Sequence, residues 1–196
     1  MTPIVVDATR PAPAAAREMQ WTQPHWSRPE WELHEGEKLW VTLRRVHWYG
    51  GTLLAHIEGT EWHCMRHDLA ELRLIRPGAD QPEMSIRPYW WPSDEDTERL
   101  RLSRWRGDAP IERADGRRWF WRQHGFWRNR YWEVLDEKEC AIVMIRRRRR
   151  VFRIEGMASF GAGVPLEDGL HAAVFGWYLL LREAARRHHA AAAGAG

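Results

Sequence analysis

The stretch from Leu170 to Leu181, reading LHAAVFGWYLLL, constrains the fold more than any other part of the chain. Apart from His171 and Gly176 it has no polar position, so a helix built from it offers no face to water and must be surrounded by protein. It runs for about a dozen residues before Arg182, Arg186 and Arg187, well short of the roughly 20 that a membrane-spanning helix needs. Asp168 and Gly169 precede it, and the helix is expected over about residues 168–187. The rest of the chain therefore has to supply an enclosure.

The material for that enclosure is a series of short strands. From Lys38 the apolar residues alternate with a period of two: Leu39, Val41 and Leu43 on one side, Trp40, Thr42 and Arg44 on the other. Tyr49-Gly50-Gly51-Thr52 reads as a hairpin turn, Leu53, Ala55 and Ile57 continue the alternation, and Gly59-Thr60 turns again into Glu61–Arg66. Leu69 to Ile75 fits either a short helix or a strand, and Met84 to Trp90 reads as a strand. Asp115-Gly116 is the strongest hairpin signal, followed by strands at Arg117–Gln123, Phe126–Leu135, Cys140–Arg146, Val151–Ile154 and Met157–Phe160. Ten to twelve strands followed by one wholly apolar helix predict a mainly β fold, a closed antiparallel barrel around a buried C-terminal helix.

Residues 1–36, with Pro3, Pro11, Pro13, Pro24 and Pro29, read as an extended leader, residues 37–187 as the barrel domain, and 188–196 as a disordered Ala/Gly tail. The 196 residues and 44% hydrophobic content suit one core. Cys64 and Cys140 are the only cysteines, which excludes a disulfide framework, and Met1–Asp7 lacks the basic start and apolar run of a signal peptide. A cytoplasmic protein is expected, either free or peripheral at a membrane.

The run Trp105, Trp119-Phe120-Trp121, Tyr131 to Asp136, Cys140 to Ile145, Phe152 to Ile154 and then Leu170 to Leu181 resembles the tubby C-terminal-like superfamily, which includes phospholipid scramblases and LURP-one-related proteins. The likeness spans about residues 38–187. It implies a barrel of about twelve strands threaded by the terminal helix, and binding of membrane phosphoinositides or a link to lipid movement. No acidic run matches the scramblases' calcium segment, and no family ligand residue maps onto a numbered position here.

Arg146, Arg147, Arg148, Arg149 and Arg150, with Arg153 beyond, form the sharpest charged feature, either a solvated turn or strand end or a candidate patch for phosphate on anionic lipid head groups or nucleic acid. Trp21, Trp26 and Trp31, five residues apart, are candidate anchors for a protein partner, or else rings that lace the leader onto the domain. Arg117, Arg118, Arg122, Arg128 and Arg130 interleave with Trp119, Trp121, Trp127 and Trp132, the pattern of a surface that stacks single-stranded nucleic acid, and equally that of a strand with one wet face.

His56, His63, Cys64 and His67 have metal-ligand chemistry, but strand spacing keeps them apart, so no metal site is expected. The acidic residues Asp94, Glu95 and Asp96 lack a histidine or nucleophile in a recognisable arrangement, and Glu167-Asp168 suits the positive end of the helix. With no nucleophile elbow, phosphate loop or dinucleotide fingerprint, the reading is a non-enzymatic binding protein without a cofactor. Its ligand is expected to be anionic lipid or a protein partner at an Arg-rich rim; the alternative is a nucleic-acid-binding β-domain.

Overall fold

A helix is about 10 Å across with its side chains, and a barrel of about eight strands is already filled by its own side chains, so enclosing a helix takes a wider sheet. The computed structural model has twelve strands closed on themselves. It describes residues 17–25, 27–46, 51–67, 71–87, 109–125, 130–149 and 153–193, with backbone only for 149 and 186–193. The strands are β1 (Arg17–Thr22), β2 (Glu30–Glu35), β3 (Lys38–Arg45), β4 (Leu53–Ile57), β5 (Thr60–Arg66) and β6 (Leu72–Ile75), then β7 (Met84–Ile86), β8 (Ala109–Arg113), β9 (Arg118–His124), β10 (Tyr131–Leu135), β11 (Ala141–Arg149) and β12 (Ile154–Phe160). Each pairs antiparallel with its sequence neighbours, and β1 pairs with β12 to close the ring, Trp21 facing Gly156.

Helix α1 (Leu166–Ala193) runs through the lumen, buried without interruption from Asp168 to Leu181. Different sides of it meet different strands. Trp177 stacks on Trp21 of β1 at 5.1 Å, His171 meets the edge of Trp62 of β5 at 4.5 Å, and Gly176 faces Ile145 of β11 and Trp121 of β9. Gly176 is glycine for space, since a methyl group there would lie 2.6 Å from the Ile145 side chain. The eight described tryptophans are all buried and all belong to one core cluster, where they fill space between sheet and helix.

The structure moves three boundaries. The barrel begins at Arg17, not at residue 37: much of the presumed leader forms β1 and β2, which contribute Met19, Trp21, Trp31 and Leu33 to the core. The helix continues to Ala193 through residues read as a tail, as its Ala and Arg content favours. In β3 a bulge at Trp40, opposite Leu33 and His34, breaks the expected alternation: Leu39 is exposed, and Trp40 joins the core cluster, its ring beneath Lys38 and its indole donating to Glu35 at 3.1 Å. Residues 72–75 settle as a strand, and 154–160 form one strand where a shorter one starting at Met157 is expected.

Candidate functional site

An antiparallel meander puts its connections alternately at the two ends of a barrel, and the described residues at the two ends of this one differ in charge. Helix α1 starts at the acidic end, where the turns carry Glu37, Glu58, Asp136, Glu137 and Glu139. It leaves through the basic end, where β3 finishes in Arg44-Arg45, β5 in Arg66 and β11 in Arg146–Arg149, and where Arg153 leads into β12.

At the acidic end the hairpin β8–β9 carries an arginine on each side of its turn. Arg113 and Arg117 are joined by the bond from the Arg113 amide to the Arg117 carbonyl, with Gly116 in the left-handed conformation between them (φ 82). They reach across 55 and 51 residues of sequence, respectively, to the first turn of the helix. Arg113 donates to Asp168 Oδ1 at 2.7 Å and to Glu83 Oε1 at 2.9 Å; Arg117 donates to Asp168 Oδ2 at 2.9 Å and to Asp115 Oδ2 at 2.7 Å. The Arg113 guanidinium lies over Trp119, 4.2 Å from the ring centroid. Burial alone would raise the Asp168 carboxyl, but hydrogen bonds from Arg117 and Arg113 outweigh it and hold the group below its ordinary value. For Glu83 burial wins over the attraction of Arg113, and its carboxyl titrates higher than usual. One turn along, burial pushes His171 down to about 4. Asp168 therefore complements the helix dipole, as its position suggests, while its carboxylate is spent on the β8–β9 hairpin.

The basic end is different. Strand parity splits the Arg run: Val143 and Ile145 point inward and so does half-buried Arg147, whereas Arg146 and Arg148 are exposed on the outer wall. Arg146 lies 5.5 Å from the ring centroid of Tyr131. Arg153 is exposed, and Arg150 lies outside the described residues. No ion pair joins Arg44, Arg45, Arg148 or Arg153 to another described residue. Arg44-Arg45 was not singled out in the sequence; its signal is two adjacent arginines at the end of an alternating strand, just ahead of a Tyr-Gly-Gly turn.

The other candidate residues fall elsewhere. Trp21 and Trp31 are interior, at 0% and 3% exposure, so neither can anchor a partner on this surface; they lace strands to the core. Trp26 lies outside the described residues. Trp119, Trp121 and Trp132 are buried against the helix side of the sheet and offer no face to a nucleobase, while Trp127 and Arg128 lie outside the described residues. Of their arginine partners, Arg117 is held by the network above and Arg122 by Glu139 at 3.2 Å. Cys64 points inward and is fully buried, which raises its thiol, whereas His63 points outward onto Glu61 at 3.2 Å; no metal-holding cluster occurs among the described residues. Asp94, Glu95 and Asp96 lie outside the described residues, and no described helix is long and apolar enough to cross a membrane. Compared with family models, curated proteins and solved structures, the chain gives no match.

Proposed function

We propose that this barrel is a non-enzymatic binding protein that takes anionic lipid head groups on its Arg-rich end, acting peripherally at a cytoplasmic membrane surface and belonging with the tubby-like barrels it resembles. The observation that carries the reading is the segregation of charge: exposed Arg146, Arg148 and Arg153 gather at one end without a carboxylate partner among the described residues, while the turns of the other end are acidic. Such a molecule has an electrostatic direction. A negatively charged surface attracts one end, by about 1 kcal/mol per arginine brought near it, and repels the other. The guanidinium fork suits phosphate oxygens. The reading based on single-stranded nucleic acid loses its stacking platform, because the described indoles it would use are buried.

The test is vesicle co-sedimentation with neutral phosphatidylcholine and with phosphatidylcholine containing phosphatidylserine, at low and high salt, beside a gel-shift assay with single-stranded DNA. The expected result is salt-sensitive capture by the anionic vesicles only. Equal capture by both vesicles, or a DNA shift in the absence of vesicle binding, overturns the reading.

A further inference from the structure

Where the outer wall meets the basic end, β3, β4 and β5 enclose an open cleft of about 530 Å3 lined by Arg44, Arg45, Val46, Thr52, Leu54 and His63. Its floor follows from register. Arg44 lies directly opposite Leu54, and Leu54 directly opposite His63, so an apolar side chain sits between two nitrogen-bearing ones on strands about 4.8 Å apart. Leu54 is buried, and Val46, at 45% exposure, is one of only two large apolar side chains exposed among the described residues. The neck of the cleft is fixed by the bond from the Val46 amide to the Thr52 carbonyl, and the His63 ring is held by Glu61. Glu30 stands opposite Arg44 across the β2–β3 ladder, yet no ion pair joins them, and neither Arg44 nor Arg45 spends its guanidinium on a described residue.

We infer that this cleft binds a small amphipathic anion, an unbranched apolar body ending in one carboxylate or phosphate. Arg44, on the outer face with Leu54 and His63, takes the head group with charge-assisted hydrogen bonds, Arg45 flanks it at the rim, Thr52 adds a hydroxyl, and Leu54 and Val46 cover the body. The volume lies within the range of small-molecule sites, and the mixture of a mostly apolar lining with a few convergent polar groups is that of a ligand pocket rather than of a purely electrostatic surface. The inference does not depend on the membrane reading, because its arginines lie on β3 and those of the Arg run on β11.

Isothermal titration of the full chain with decanoate, decyl phosphate and inorganic phosphate, each below its aggregation concentration, tests it. One decyl ligand per chain is expected, with inorganic phosphate binding at least about tenfold more weakly than decyl phosphate, and the preferred decyl compound identifies the head group. R44Q/R45Q should weaken the decyl ligand by about tenfold or more, as should V46D, which leaves both arginines in place and puts a carboxylate in the lining. Thermal melts of both variants check that the barrel is intact. R148Q/R153Q should bind the decyl ligand as the parent does, which separates a failure here from a failure of vesicle binding. The inference falls if neither decyl compound binds, if both cleft variants bind like the parent, or if inorganic phosphate binds as tightly as decyl phosphate.

Discussion

At the acidic end of the barrel Arg113 and Arg117 are held by Asp168, Asp115 and Glu83, whereas at the basic end Arg44, Arg45, Arg148 and Arg153 meet no carboxylate among the described residues. The same side chain thus does two jobs. A guanidinium such as that of Arg113, with only 5% of its side chain exposed, is tolerable because three carboxylates surround it, and it ties the helix to the sheet. An exposed guanidinium without a partner adds little to folding and keeps its donors available. Arginine content alone could not have told the two apart; the distinction lies in which acidic residues the fold brings within reach.

Substitutions should separate the two ends sharply. D168N leaves Arg113 buried with one carboxylate fewer and is expected to cost about 3 kcal/mol in urea unfolding, at the low edge of what breaking a buried pair costs because Glu83 and Asp115 remain. A loss below about 1 kcal/mol would show that the network is not what fastens the helix.

The second difference is in pH. His171 is neutral in the folded protein because its pKa is depressed to about 4 from 6.5, so the unfolded chain binds the extra proton between those values, and stability should fall as pH drops from about 6.5 to 4. Asp168 and Asp115, both depressed, extend the loss to lower pH, while Glu83, raised, opposes it just above its ordinary value. The His171 share is about 2–3 kcal/mol across the window, and H171F should flatten the slope there without removing the loss below it. Melting temperature followed from pH 7 to 3 with both proteins measures this.

The smallest expected effect is at the basic end: R148Q/R153Q should change unfolding free energy by less than about 0.5 kcal/mol while weakening capture by anionic vesicles by about tenfold or more. Substantial destabilisation would mean that these arginines belong to the fold after all.

What could be read in the sequence follows from how local each signal is. The helix was legible because an apolar surface on every side allows only one environment, and the β8–β9 hairpin because Asp115-Gly116 carries its own turn chemistry. Strands β1 and β2 were not, since each is six residues long and offers only two inward side chains, too few for a periodic pattern beside Pro24 and Pro29, which fall in the connection between them. The Trp40 bulge is a property of pairing between two strands, invisible in either alone. The grip of Arg113 on Asp168 spans 55 positions and involves residue types that usually face water. Of the Arg run, the sequence showed the cluster, but its division between the wall and the lumen needed the register with β12.

The order of the chain has a consequence for how this molecule is made. Synthesis delivers all twelve strands before the rod they are wrapped around, so Trp21, Trp62 and Trp121 lack their contacts with residues 171–177 until that stretch leaves the ribosome. A sheet that closed before then would be a hollow sleeve with a sticky lining, so completing the molecule is less a matter of adding one more element than of corking an open vessel.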